Sequence, residues 1–308
     1  MEKHALRAVS HQAGCALLAV CGLQLAASLA AALLQSRLEL DGSLWFHLAA
    51  VLGGMTVLAG AAVGRKLLQP PRCCAAAPQG GHLDKEASFL LVPAGAALCM
   101  AGNLVGALVE RMAGQAGIEF QGGPQLPQTQ SLPGLLLTLL TAAVLPAAAE
   151  EWLLRGCVLP ALRRFGDGFA VACTAALFAL LHQNMEQAPM AFVSGLALGW
   201  AYVRGGRLAV PMAVHLWNNA AAVLFTVLPE GMENLYVAAL GALGMLCLFV
   251  LYLRRRPRDN RGGRPAPRKA MCEMPAYRRA SNFFFGSAAM VLALGYFIAM
   301  IAVNTRVG

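Results

Sequence analysis

Three short clusters of polar residues interrupt the apolar stretches of this chain, and their residue types are those used in acid–base chemistry. They are Glu150-Glu151-Arg155, Phe178-His182 and His215-Asn219. A carboxylate can take a proton from water, and imidazole and amide groups can donate hydrogen bonds to an oxygen that becomes negative. Together the clusters hold the groups that water attack on a peptide bond requires.

The spacing inside the clusters suits helices, in which residues four apart lie on one face. Glu151 and Arg155 have the acid N-terminal to the base, which is the favourable order for a helical ion pair. His215 and Asn219 have the same separation. Because Arg155 can neutralise only one carboxylate, Glu150 is left as an acid that is either protonated or held for function.

The composition of the chain indicates the surroundings of these clusters. Of the 308 residues, 58% are hydrophobic and 13% are charged, and the mean hydropathy is +0.60. Soluble domains carry roughly 25% charged residues, so the composition excludes a soluble globular enzyme, and the hydrophobicity also excludes disorder. We therefore expect an all-α fold, a polytopic transmembrane helical bundle with a buried polar site.

Apolar runs that could form membrane-spanning helices, which need about 20 residues, occur nine times. They lie near 13–34, 44–64, 88–109, 134–162, 168–185, 188–203, 208–228, 235–253 and 282–303. Lys3 and Arg7 precede the first run, but this run is too long for the core of a signal peptide, so we expect it to be a retained span.

The same runs and the loops between them predict how the chain is organised. We expect N-terminal transmembrane helices over 1–112, an external loop over 113–131, a catalytic core over 132–253, a basic cytoplasmic loop over 254–281 and a C-terminal transmembrane helix over 282–308.

Basic residues predict the orientation, because positively charged loops stay on the cytoplasmic side. The segment 254–279 alone holds ten basic and two acidic residues. Placing it inside makes the protein an integral, multi-pass protein of the plasma membrane with a cytoplasmic N-terminus and an external C-terminus. We expect the same segment to bind anionic lipid headgroups and not nucleic acid.

Estimates of depth suggest that the three clusters form one site. At about 1.5 Å per helical residue, Glu150 lies roughly 20 Å from Arg163 at the inner surface. By the same rule His182 lies roughly 21 Å deep and Asn219 roughly 18 Å deep. The sequence therefore predicts that the clusters converge on one cavity, which we expect to open toward the cytoplasmic half of the membrane.

Each cluster also has a structural interpretation. Glu151 with Arg155 is more typical of a structural ion pair than of chemistry, and His182 could be an interfacial histidine. His215 with Asn219 could form ordinary interhelical hydrogen bonds. These interpretations compete for each cluster alone and weaken when all three clusters share one depth.

The three motifs, E-E-x-x-x-R, F-x-x-x-H and H-x-x-x-N, each in its own apolar span and in this order, resemble those of the CAAX protease and bacteriocin-processing (CPBP, Abi) family of intramembrane proteases. The resemblance covers about 130–250. It implies an intramembrane endopeptidase in which Glu150 activates water with help from His182. It further implies that His215 and Asn219 stabilise the oxyanion, with Glu151, Arg155 and Phe178 in support.

The sequence leaves the role of metal open. Glu150, His182 and His215 are a credible zinc ligand set, but the chain lacks an H-E-x-x-H motif. If His215 instead acts with Asn219 on one oxygen, only two ligands remain. We therefore predict glutamate-type catalysis with no obligatory cofactor, and zinc as the alternative.

Functions of other classes fit parts of the pattern. The ionisable residues could form the relay of a proton-coupled transporter, although no inverted repeat is apparent. A non-catalytic immunity or scaffold protein could keep the fold. We expect the substrate of the enzyme to be a membrane-associated peptide or protein.

Overall fold

The computed structural model describes residues 2–35, 37, 41–68, 85–120, 125–129, 131–254, 282 and 284–307. Within them the chain forms nine main helices and one short pair of strands. The helices are α1 (Glu2–Gln35), α2 (Gly42–Leu67), α3 (Lys85–Gln115), α4 (Leu132–Phe165), α5 (Asp167–Leu181), α6 (Ala188–Gly205), α7 (Ala209–Phe225), α8 (Glu233–Leu253) and α9 (Ala288–Val303). Apart from Arg254, the predicted basic loop 254–281 lies outside the described residues.

All nine predicted apolar runs form helices, so the all-α bundle is confirmed. Five of the described helices, α1, α2, α3, α4 and α8, are long and apolar enough to cross a membrane. The helices α5, α7 and α9 are shorter apolar helices of 10–17 residues, and α6 has 18 residues. Of the nine predicted spans, five are thus long and apolar enough to cross a membrane among the described residues.

The helix α4 is continuous over 34 residues, as the depth estimate for Glu150 requires. It alternates α-helical segments with two π-helical turns, Leu139–Val144 and Trp152–Val158. The α-helical segment between these turns, Leu145–Glu151, carries both glutamates. Single π turns inside α-helices are often found at functional sites.

Close packing of small residues brings α6 against its neighbours. A Cβ atom on Gly195 would lie 2.8 Å from the Cα of Ala175 on α5, and one on Gly102 of α3 would lie 2.8 Å from the carbonyl oxygen of Met190 on α6. Glycine is therefore needed at both positions for the backbones to approach this closely. Small residues at such positions let membrane helices pack closely.

A short antiparallel ribbon joins two distant parts of the chain. Strand β1 (Ile118–Phe120) follows α3, and strand β2 (Thr305–Val307) follows α9; Ile118 pairs with Val307. The ribbon places the loop after α3 and the last residues of the chain at the same end of the bundle. That 113–131 and the C-terminus both lie outside the cell stays a prediction.

Candidate active site

One cavity of about 450 Å³ is lined by all four predicted catalytic residues. Glu150 comes from α4, His182 from the C-terminal end of α5, and His215 and Asn219 from α7. We call it the site cavity. It is the feature of the structure that brings the three sequence clusters together.

Helices outside the predicted catalytic core also line the site cavity. Gln24 of α1, Phe46 and Gly53 of α2, and Cys99 of α3 contribute to its wall. No sequence motif marks these positions, because apolar and small residues in a membrane helix are more often packing residues than site residues. They can be identified as site residues once the packing of their helices against the polar clusters is known.

The site cavity lies in the half of the bundle that carries Leu126 and Gln187, both of which line it. The basic residues of the loops, such as Arg163 and Arg204, lie at the opposite helix ends. The expected opening toward the half with the basic loops is therefore wrong. The reason is geometric: a depth of roughly 20 Å from the basic end already exceeds half of a hydrocarbon layer about 30 Å thick.

The carboxyl group of Glu150 faces the site cavity with one oxygen atom that accepts no hydrogen bond from the described residues. Its side chain is half-buried, and its Oε2 atom is buried without a hydrogen-bond partner among the described residues. Buried polar atoms are normally paired, so an unpaired carboxylate oxygen in a cavity wall is available to bind water or substrate.

The adjacent Glu151 is used differently. Its Oε1 atom accepts hydrogen bonds from Arg155 at 2.8 Å and from Nδ1 of His215 at 3.1 Å. Glu151 and Arg155 are both fully buried, and a second guanidinium nitrogen donates to the carbonyl oxygen of Gly195 at 2.8 Å. The predicted pairing of Arg155 with Glu151 is confirmed, and the contact with His215 extends it to α7.

Phe178 joins the histidines to this ion pair. Its ring lies edge to face with His182 and with His215, with centroids 5.0 Å and 5.6 Å away. The guanidinium carbon of Arg155 lies 5.0 Å from the centre of the same ring, a distance at which a cation is attracted to the ring face. Phe178 is only 3% exposed and contacts both imidazoles and the guanidinium group of Arg155.

Hydrogen bonds fix which nitrogen of each histidine carries a proton. In His182, Nδ1 lies 2.9 Å from the carbonyl oxygen of Phe178, which can only accept. In His215, Nδ1 donates to the Glu151 carboxylate. Both Nε2 atoms are left without a partner in the described residues, so each can accept a proton when neutral and donate one when charged.

Asn219 forms a hydrogen bond to the backbone of α4, and the sequence analysis did not predict this contact. Its Nδ2 donates to the carbonyl oxygen of Ala142 at 3.2 Å, and its Oδ1 accepts from Asn218 at 3.3 Å. The Ala142 carbonyl lies in the π turn Leu139–Val144, and residue 146, which would donate to it in regular α-helical geometry, is a proline without an N–H. The proline was the signal in the sequence: it frees a carbonyl that orients Asn219, whose amide keeps one N–H for another acceptor.

The residues of the site cavity do not assemble a metal-ligand set in the described part of the chain. No three His, Cys, Asp or Glu side chains are grouped there so that they could hold a metal ion. The Nδ1 atom of His215 is engaged by Glu151, although its Nε2 is free.

The part of the chain that holds these residues is similar to known proteins. A family model described as type II CAAX prenyl endopeptidase, Rce1-like, matches residues 132–221. This segment contains all three motifs, from Glu150 to Asn219.

Two curated proteins are also similar to part of the chain. One is the membrane-embedded CAAX protease MroQ of Staphylococcus aureus (strain USA300), 28% identical over 129 residues that cover 38% of this chain and 52% of that protein. The other is an uncharacterized 24.3 kDa protein of Escherichia coli, 31% identical over 102 residues that cover 31% of this chain and 47% of that protein. The chain thus spans about half the length of these relatives, and no solved structure matches it.

The resemblance to the CPBP family drawn from the three motifs is therefore confirmed as a resemblance: residues 132–221, which hold the motifs, are similar to Rce1-like CAAX endopeptidases.

Proposed function

We propose that this protein is an intramembrane endopeptidase that hydrolyses a peptide bond of a membrane-associated peptide or protein. The observation that supports it best is the site cavity, in which an unpaired carboxylate oxygen of Glu150 shares a wall with His182, His215 and Asn219. A base, a second proton carrier and two hydrogen-bond donors are what amide hydrolysis by water requires.

In the proposed reaction, Glu150 takes a proton from a water molecule while the water oxygen attacks the carbonyl carbon of the substrate. Nε2 of His182 accepts a hydrogen bond from the same water and orients it. The proton then passes from Glu150 to the nitrogen of the leaving amine as the C–N bond breaks. The products are one carboxylic acid and one amine, and Glu150 returns to its starting state.

The negative oxygen of the tetrahedral intermediate needs donors placed in advance. Asn219 offers the N–H that Ala142 leaves unused. His215 can donate from Nε2 when its ring is protonated, because Nδ1 already donates to Glu151. The Glu151 carboxylate thus orients the ring and balances its charge.

Charge neutrality supports this division of roles. Charges inside a membrane are costly unless they are compensated. Two carboxylates and one guanidinium give the site a net charge of −1, and a single proton held by Glu150 or by a histidine makes it neutral. The movement of that one proton among these groups is the acid–base chemistry that we propose.

The α2 side of the site cavity leaves room for an extended peptide. Between Phe46 and Val57, the α2 residues that line it are the small residues Ala49, Ala50, Gly53 and Gly54. A Cβ atom on Gly53 would meet nothing within 4 Å. A substrate segment can therefore lie along α2 with its backbone facing Glu150.

We propose that the reaction needs no metal, because the four side chains supply the base and the donors. Zinc held by Glu150, His182 and His215 is the alternative. The test is the metal content of purified active protein, with activity followed during chelation and zinc add-back. Full activity without bound metal is expected, whereas stoichiometric zinc whose removal and return abolish and restore activity would overturn the metal-free mechanism.

The experiment that tests the proposed function compares membranes of cells that make the wild-type protein with those that make Glu150→Gln at the same level. Mass spectrometry of membrane peptides is expected to find new chain ends that depend on Glu150 and that identify the substrate. Identical sets of chain ends in the two membranes would contradict the proposal.

A further inference from the structure

The turn directly after His182 has an unusual backbone. Gln183 has a φ of +52°, and it is the only non-glycine residue with a positive φ in the part of the chain that the structure describes. It follows the C-terminal end of α5, where glycine or asparagine normally adopts this conformation at little cost. A glutamine here is held against its own preference, so its surroundings must fix it.

Two hydrogen bonds connect Gln183 to residues that are far away in the sequence. Its Nε2 donates to Oε1 of Gln24 on α1 at 2.7 Å, and its carbonyl oxygen accepts from Nδ2 of Asn304, which follows α9, at 3.0 Å. Neither Gln24 nor Asn304 lies in the segment 132–221 that carries the motifs.

The same turn sets the position of His182. The N–H groups of His182 and Gln183 bond to the carbonyl oxygens of Ala179 and Leu180, at 3.3 Å and 3.1 Å, in the last turn of α5. Among the described residues, the one hydrogen bond of the His182 side chain goes to its own helix, to the carbonyl oxygen of Phe178. The place of its Nε2 relative to α4 therefore depends on how the end of α5 is anchored, and Gln183 is that anchor.

We propose that Gln24, Gln183 and Asn304 act as a latch that positions His182 in the site cavity, so that the first and last helices take part in catalysis without contacting the reacting atoms. This inference rests on the proposed function, because His182 must be catalytic for its placement to affect turnover. The three latch residues are positioning residues.

The test uses full-length protein in proteoliposomes and a peptide that wild-type protein cleaves and Glu150→Gln does not. The latch variants are Gln183→Gly, which keeps the backbone conformation and removes the side chain, and Gln24→Ala. Gln35→Ala, at the exposed end of α1, is the matched control. We expect each latch variant to lower kcat by about 10- to 100-fold with KM and thermal stability unchanged, because small misplacements of catalytic groups are costly.

A double variant shows whether Gln24 and Gln183 act through one hydrogen bond. If they do, combining Gln24→Ala with Gln183→Gly lowers kcat no further than the worse single variant, whereas independent effects multiply. A multiplied loss, or a loss of stability with kcat unchanged, overturns the latch.

A chemical probe gives a readout that does not need turnover. We expect diethyl pyrocarbonate to modify His182 at least about threefold faster in both latch variants, because a released turn opens more often. The exposed His11 on α1 serves as the internal reference. Wild-type modification rates together with wild-type kcat would overturn the latch, whereas wild-type turnover in His182→Ala would instead contradict the role that the proposed function gives to His182.

Discussion

Two adjacent glutamates on α4 have different surroundings, and this difference divides their roles. Glu151 is fully buried and shared between Arg155 and His215. Glu150 faces the site cavity with one oxygen unpaired. Adjacent residues on a helix point about 100° apart, so one can face the interior of the bundle while the other faces a cavity.

Arg155→Ala should destabilise the protein strongly, because it leaves Glu151 buried without its partner. The expected loss is roughly 3–5 kcal/mol, as for other buried ion pairs broken on one side. Arg163→Ala is the matched control: its pair with Asp167 is partly exposed, and we expect a loss of about 1 kcal/mol or less. Equal unfolding midpoints for Arg155→Ala and the parent would count against a buried pair.

Asn219→Ala should lower turnover without changing the fold. Removing one donor to a developing oxyanion lowers kcat by about 10²- to 10³-fold, and KM should change little. Asn103→Ala, on the exposed face of α3, should behave as the parent. Steady-state kinetics of the two variants with one peptide separate kcat from KM. A rise in KM with kcat unchanged would show that Asn219 does not stabilise the oxyanion.

At the scale of the elements, α4 is shaped by its prolines and π turns. Pro146 frees the Ala142 carbonyl for Asn219, and Thr141, one residue earlier, accepts a hydrogen bond from Nδ1 of the buried His47 on α2 at 2.9 Å. The π turn Leu139–Val144 is thus held from both α2 and α7. Its position links two helices to the wall of the site cavity.

Pro146→Ala restores an N–H that can compete with Asn219 for the Ala142 carbonyl. Because one hydrogen bond is worth about 0.5–1.5 kcal/mol, we expect kcat to fall about threefold to tenfold while thermal stability is kept or rises. Pro160→Ala, which lies in α4 beyond the second π turn and does not line the site cavity, should leave kcat unchanged. The same kcat for both variants would argue that Ala142 does not orient Asn219.

The sequence predicts the helices and the polar clusters well because both depend on local signals. Apolar runs predict helices, and Glu151 with Arg155 can be paired from helical spacing alone. The contact between His215 and Glu151, the place of Phe178 between two imidazoles and the strained Gln183 all depend on how distant helices pack. No local spacing encodes these contacts, and so they could not be predicted.

At the scale of the whole molecule, the two halves of the bundle differ in chemistry. Most of the described basic residues at helix ends lie at one end, and the site cavity lies toward the other, where β1 and β2 bring the loop after α3 to the C-terminal residues. By the positive-inside rule we expect the more basic end to be in the cytoplasm. The site cavity should then lie nearer the external surface.

Epitope tags test this orientation. A tag inserted between Gly262 and Gly263, in the basic segment, should bind antibody only after cells are permeabilised, because positive loops stay inside. A tag after Gly308 should bind antibody on intact cells. The opposite pattern of accessibility would reverse the predicted topology and would place the site cavity near the cytoplasmic surface.

The most direct test of the central claim, that Glu150 activates water in the site cavity, is the single-turnover cleavage rate in proteoliposomes. Wild-type protein is compared with Glu150→Gln, which keeps the size of the side chain, and with Glu110→Gln on the exposed end of α3. Loss of the general base should lower the rate by about 10²- to 10⁴-fold in Glu150→Gln, with Glu110→Gln equal to the parent. Cleavage by Glu150→Gln at the parent rate would contradict the account.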